Sequence, residues 1–127
     1  MATFKNFEEI LAWQKARILC KKIKLLTEKP LFSKDFKLRD QILSSSGSTM
    51  DNIAEGFERA TNKEFTRFLY VAKGSCAEVR SLLHVGNKIG YITQSQYIEL
   101  LTLCEDISKT LSFVQATIQE SVKEKCL

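Results

Sequence analysis

The sequence predicts an all-α protein built as an antiparallel up-and-down four-helix bundle. Apolar residues recur at three- and four-residue spacing in four successive segments. Capping signatures separate those segments at short intervals, and no hairpin dipeptide interrupts them. One proline and five glycines leave long stretches free to run as unbroken helix. Short connections make consecutive helices antiparallel neighbours, which gives the bundle its up-and-down order.

The first helix is expected over residues 6–28. Asn6 with Glu9 reads as a cap, and Ala12, Ala16, Leu19, Ile23 and Leu26 form its seam before Pro30. Opposite the seam runs a basic row of Arg17, Lys21 and Lys24. The second helix, 34–57, is expected to start at a Ser33 cap with Asp35 in its first turn. Its seam of Leu38, Ile42, Ser45, Thr49, Asn52 and Gly56 is thin in apolar bulk.

Thr61-Asn62-Lys63-Glu64 is a capping box opening the third helix, 62–89. Phe65, Leu69, Ala72, Cys76, Val79, Leu83 and Gly86 give that helix a heptad seam, and Gly90 suits a left-handed residue at its end. A second box, Thr93 to Gln96, opens the fourth helix, 94–121, whose seam is Tyr97, Leu100, Cys104, Ile107, Leu111, Val114 and Ile118.

The 127 residues are 44% hydrophobic and 27% charged, the composition of one soluble domain, 1–127. No secretory leader is visible in Met1 to Glu9, and no run approaches a membrane span, so a cytoplasmic location is expected. Cys20, Cys76, Cys104 and Cys126 lack metal or redox spacing. The first three fall at similar heights in an up-and-down bundle. They are expected as buried, metal-free thiols in one core layer, with Cys126 in an exposed tail. No cofactor motif is present. The lone His84 reads as a surface residue, and the serines have neither a nucleophile elbow nor a phosphate loop around them.

Net charge is +4, but it is unevenly placed. The quarters 1–30 and 61–90 are basic, with seven against three and five against two charges. Quarters 31–60 and 91–127 are acidic, with four against five and three against five. Like-charged helices are diagonal in a square bundle, so every basic helix has acidic neighbours. Lys15, Arg17, Lys21, Lys22 and Lys24 on the first helix are the candidate nucleic-acid-binding residues, suited to phosphates rather than to base edges.

Ser44 to Arg59 is small and polar where a core seam should be apolar. In a hairpin turning near Arg59 and Ala60, Ser45 would face Ser75 and Ser48 would face Ala72. Small residues on both sides would then allow close helix packing. Asp51, Asn52, Glu55 and Glu58 could alternatively gather around a divalent cation. With no histidine among them, capping or inter-helix hydrogen bonding is the expectation, and catalysis is not.

Gln41-Ile42, Ser48, Asn52-Ile53-Ala54-Glu55-Gly56, Phe65, Phe68-Leu69 and the segment Ala72 to Glu78, including Gly74 and Ser75, form a distinctive set. With Trp13 to Ala16 and Gly90-Tyr91-Ile92, it resembles the four-helix-bundle family encoded in bacterial 23S rRNA intervening sequences. Pro30-Leu31-Phe32 replaces that family's usual Phe-Pro-Glu, a change expected to alter only a loop. The resemblance implies a non-enzymatic bacterial protein that forms a homo-oligomer, a pentamer being known in the family. It also implies kinship with accessory proteins of diversity-generating retroelements, which bind a reverse transcriptase and nucleic acid. RNA or DNA, or a protein partner, are the partners to expect. Phe68, Leu82 and Ile89 on the third helix, with Leu101 and Phe113 on the fourth, lie beside the seams and are expected to supply an oligomer surface.

Overall fold

A computed structural model describes residues 4–126, with side chains described as far as residue 118. A 3-10 turn at Phe7–Glu9 precedes α1 (Leu11–Thr27), α2 (Pro30–Lys34), α3 (Phe36–Phe57), α4 (Asn62–Ile89) and α5 (Gln94–Cys126). The long helices pack in the cyclic order α1, α3, α4, α5, with consecutive long helices antiparallel, so α1 and α4 are diagonal. The fold is therefore the expected four-helix bundle with one short helix added. No helix of the described part is long and apolar enough to cross a membrane.

The N-terminal boundary differs from expectation. Asn6 caps only the 3-10 turn and makes no side-chain cap bond, and α1 begins after an extended Ile10 that is fully buried. Ser33 is not a cap either. Pro30, at the first position of α2, supplies a helical φ and needs no N–H partner there. The result is a helical turn, not a loop, and it drives Phe32 into the core against Tyr91 at 5.5 Å between ring centroids. Asp35 then caps α3 by accepting from the Leu38 N–H at 3.2 Å, and its other oxygen accepts from the Tyr91 hydroxyl at 3.1 Å.

The remaining punctuation follows the expected chemistry. Thr61 Oγ1 accepts from the Glu64 N–H at 3.2 Å, but the Glu64 carboxylate turns to Arg67 at 3.0 Å instead of closing the box. That hydrogen bond, with the Arg67 charge, holds the Glu64 carboxyl below its usual range. Thr93 and Gln96 close a complete reciprocal box, both bonds at 3.1 Å. Gly90 has φ 94, and the Tyr91 N–H returns to the Gly86 carbonyl at 2.9 Å. This is the left-handed helix end that only glycine adopts cheaply.

The core is a single cluster along the expected seams, including Leu19, Ile23, Ile53, Leu69, Val79, Leu83, Ile107 and Leu111. Phe68 and Leu82, expected to face a second subunit, are 8% and 7% exposed and belong to the bundle itself. The seam of α4 is wider than one heptad row because it contacts both α3 and α5.

Candidate functional site

The five basic residues of α1 divide into two groups. Lys15 and Lys22 point toward α5, where Lys15 Nζ meets Asp106 at 2.8 Å and Lys22 Nζ meets Glu99 at 2.5 Å. These cations are neutralised within the chain. Arg17 lies over the Trp13 ring at 5.9 Å, and Lys21 and Lys24 make no hydrogen bond or ion pair among the described residues. All three are exposed and share the outer side of α1.

Beside that basic ridge runs a row not anticipated from the sequence. Leu11, Ile18 and Leu25 are 52%, 48% and 59% exposed. Each borders a different cleft, that of Leu11 at the bundle end beside the α3–α4 turn and the other two where α1 meets α5. Leu11 lines one of about 800 Å³ with Phe57, Phe65 and Phe113, Ile18 one of about 480 Å³, and Leu25 one of about 170 Å³. Heptad spacing on a face away from the Ala12–Leu26 seam was the available signal. It is easily missed because the same helix face is also rich in lysine.

The serine stretch is a close helix contact, shifted from the expected register. Ser48 Oγ faces Ser75 Oγ at 2.9 Å, not Ala72. Asn52 Nδ2 supports it by donating to the Ser48 carbonyl at 2.7 Å and to Ser48 Oγ at 2.9 Å. Ser45 and Thr49 are buried, and each satisfies its hydroxyl by bonding back to its own helix. The turn, residues 58–61, is centred at Arg59 and Ala60 as expected, so the change of facing pair comes from how α4 settles along α3.

The signature residues therefore have separable roles. Ile53 is fully buried and Ala54 half-buried. Glu55 pairs with Arg59 at 2.9 Å, so the carboxylates of α3 do not converge. A Cβ on Gly56 would lie 2.6 Å from Phe68 Cβ, so this glycine is required by the α3–α4 contact. Gly74 is exposed, and a Cβ there would meet nothing within 4 Å. Glu78 is exposed as well. Nothing among the described residues accounts for either residue.

The cysteines lie at similar heights, but only Cys76 and Cys104 are fully buried in the core. Cys76 Sγ donates to the Cys104 carbonyl at 3.4 Å in the core, and the Cys104 thiol, kept protonated by the neighbouring Cys76 sulfur and by burial, is pushed above its ordinary range. Cys20 sits apart against α3, donating to the Ser46 carbonyl at 3.1 Å, and burial raises its pKa too. Cys126 lies outside the described side chains. His84 Nδ1 meets the Tyr97 hydroxyl at 2.5 Å on the surface. Among the described residues no group of three acidic, cysteine or histidine side chains is arranged to hold a metal ion.

No curated protein matches this chain. A crystal structure of a protein of unknown function from the S23 ribosomal protein family of Bacteroides thetaiotaomicron superposes with a TM-score of 0.77. It is 24% identical and is matched over 83% of this chain and 98% of its own. That likeness establishes the shared helical fold. The model of the 23S rRNA-intervening sequence protein family matches residues 8–113, from the 3-10 turn through α1, α3 and α4 into the first part of α5, and the chain belongs to that family.

Proposed function

We propose that this protein is a non-enzymatic, cytoplasmic accessory factor that acts by assembling into a homo-oligomer, a pentamer being preferred, and presenting helical surfaces to a partner. The observation that supports this reading is the exposed Leu11, Ile18 and Leu25 row. Three large apolar side chains in line on one helix form a patch of the kind that marks protein–protein contact rather than scattered surface residues. Light scattering at micromolar concentration tests it. A particle several times the 14.5 kDa chain is expected, and a monomer refutes the reading.

A second reading, nucleic-acid binding within a ribonucleoprotein, is favoured by Arg17, Lys21 and Lys24, which α5 leaves unneutralised. Three phosphate contacts give a salt slope of only about −2.7 per copy, so strong binding would come from several copies acting together. RNA retardation at low and moderate salt, with R17E/K24E as the control, is the test. No retardation at low salt leaves the structural-oligomer or protein-adaptor role without nucleic acid, and retardation unaffected by the control places the binding away from α1.

A further inference from the structure

The outer faces of α1 and α4 carry two seams that the bundle does not use. On α1, Leu11, Gln14, Ile18, Lys21 and Leu25 follow three-four spacing, away from the core seam. On α4, Arg67, Val71, Gly74, Glu78, Ser81 and Val85 follow the same spacing, and all six are exposed. One seam alternates large apolar side chains with polar ones. The other places glycine and serine between valines. A mid-helix glycine weakens a helix and exposes its backbone, and a Cβ at Gly74 would meet nothing among the described residues that calls for glycine there.

We propose that the outer seam of α1 packs on the outer seam of α4 from a second copy of this chain, head to tail. The inference rests on the homo-oligomer reading and names the two surfaces it uses. Because α1 and α4 are diagonal in an up-and-down bundle, they run in the same direction, and a neighbour rotated about an axis along the bundle keeps them parallel. In that arrangement Ile18 seats over Gly74 and Leu25 over Ser81, one heptad apart, as knobs over small residues. The same register brings Lys21 beside Glu78.

Charge agrees with size. The α1 seam is flanked by Arg17 and Lys24. The α4 seam holds Glu78 in its middle and Arg67 at its N-terminal end, and it adjoins acidic α3, whose Asp51 is exposed one turn from the Ser48–Ser75 contact. On the side of the apolar strip that carries Arg17 and Lys24, basic therefore meets acidic. The α1–α5 and α3–α4 sides are opposite sides of the square, so each copy offers one surface to each of two neighbours. Such a heterologous contact closes a ring when the rotation permits. Lys21 is taken up in the contact, and Arg17 and Lys24 remain at its edge, so two phosphate contacts per copy, a salt slope of about −1.8, are left to the assembled protein.

Light scattering of the full-length chain across micromolar concentrations tests the pairing, using K21E, E78K, the double K21E/E78K and G74L. Each single reversal places like charges together and is expected to raise the dissociation constant by roughly tenfold or more. The double reversal is expected to restore the wild-type mass. G74L has room within its own chain, so it should keep the helical circular dichroism while losing the assembly. An oligomer unchanged by E78K and G74L overturns this pairing and leaves the homo-oligomer reading standing. Singles that dissociate without rescue by the double overturn the Lys21–Glu78 register. A wild-type mass of 14.5 kDa overturns both the pairing and the oligomer reading.

Discussion

Alanine at Gly56 should destabilise the bundle, while alanine at Gly47 on the same helix should stabilise it. A Cβ on Gly56 would sit 2.6 Å from Phe68 Cβ and 3.2 Å from Phe65 Cδ1, whereas a Cβ on Gly47 would meet nothing within 4 Å. Carbon atoms prefer to be about 3.5–4.0 Å apart, so α3 and α4 would have to separate by roughly 1 Å. Phe68 Cβ is fixed to its own helix and cannot rotate away. Overpacking of this kind costs about 1–3 kcal/mol, and it is opposed by the gain of about 1 kcal/mol that alanine brings to any helix interior.

That propensity gain is common to both variants, so the difference between them isolates the contact, at about 1–3 kcal/mol. Urea unfolding followed by circular dichroism reads it directly. With a denaturant slope of about 2 kcal/mol per molar, a difference of about 2 kcal/mol separates the two midpoints by about 1 M. Equal upward shifts for both variants would refute the close contact between α3 and α4 at this point.

Leucine at Ser75 should cost about 1–3 kcal/mol, since it must enter the 2.9 Å contact with Ser48; a melting temperature equal to that of wild type would contradict the register. Alanine at Gly90, where φ is 94, should cost about 1 kcal/mol in thermal unfolding by straining the end of α4. Timed alkylation with mass mapping should label half-buried Cys20 before the fully buried Cys76 and Cys104. Labelling of Cys104 as fast as Cys20 would contradict the core placement.

Several parts of the candidate surface were legible in advance, and the residues show why. The basic ridge was visible because Arg17, Lys21 and Lys24 fall on one helical face by spacing alone. That Lys15 and Lys22 would be neutralised was not, because it depends on Asp106 and Glu99 arriving at matching heights on α5. The Leu11, Ile18 and Leu25 row was hidden by a similar ambiguity. Periodicity shows that residues share a face, but it cannot say which of two apolar rows on a helix will find a partner inside the chain. Phe68 and Leu82 were misplaced for the mirror reason, looking peripheral on a heptad yet buried between two neighbours.

What the sequence by itself determined is local. The number of long helices, the caps at Thr61 and Thr93, the left-handed Gly90 and the core seams all arise from groups three or four residues apart, whose geometry the helix sets without help from the rest of the chain. Tertiary structure decided the rest: the turn of helix that buries Phe32, the facing of Ser48 with Ser75, the separation of Cys20 from Cys76 and Cys104, and the apolar row left uncovered. These depend on how α4 settles along α3 and how closely Gly56 lets Phe68 approach. A contact between distant segments forms only when packing brings them to the same height and the same side, which spacing along one helix does not encode.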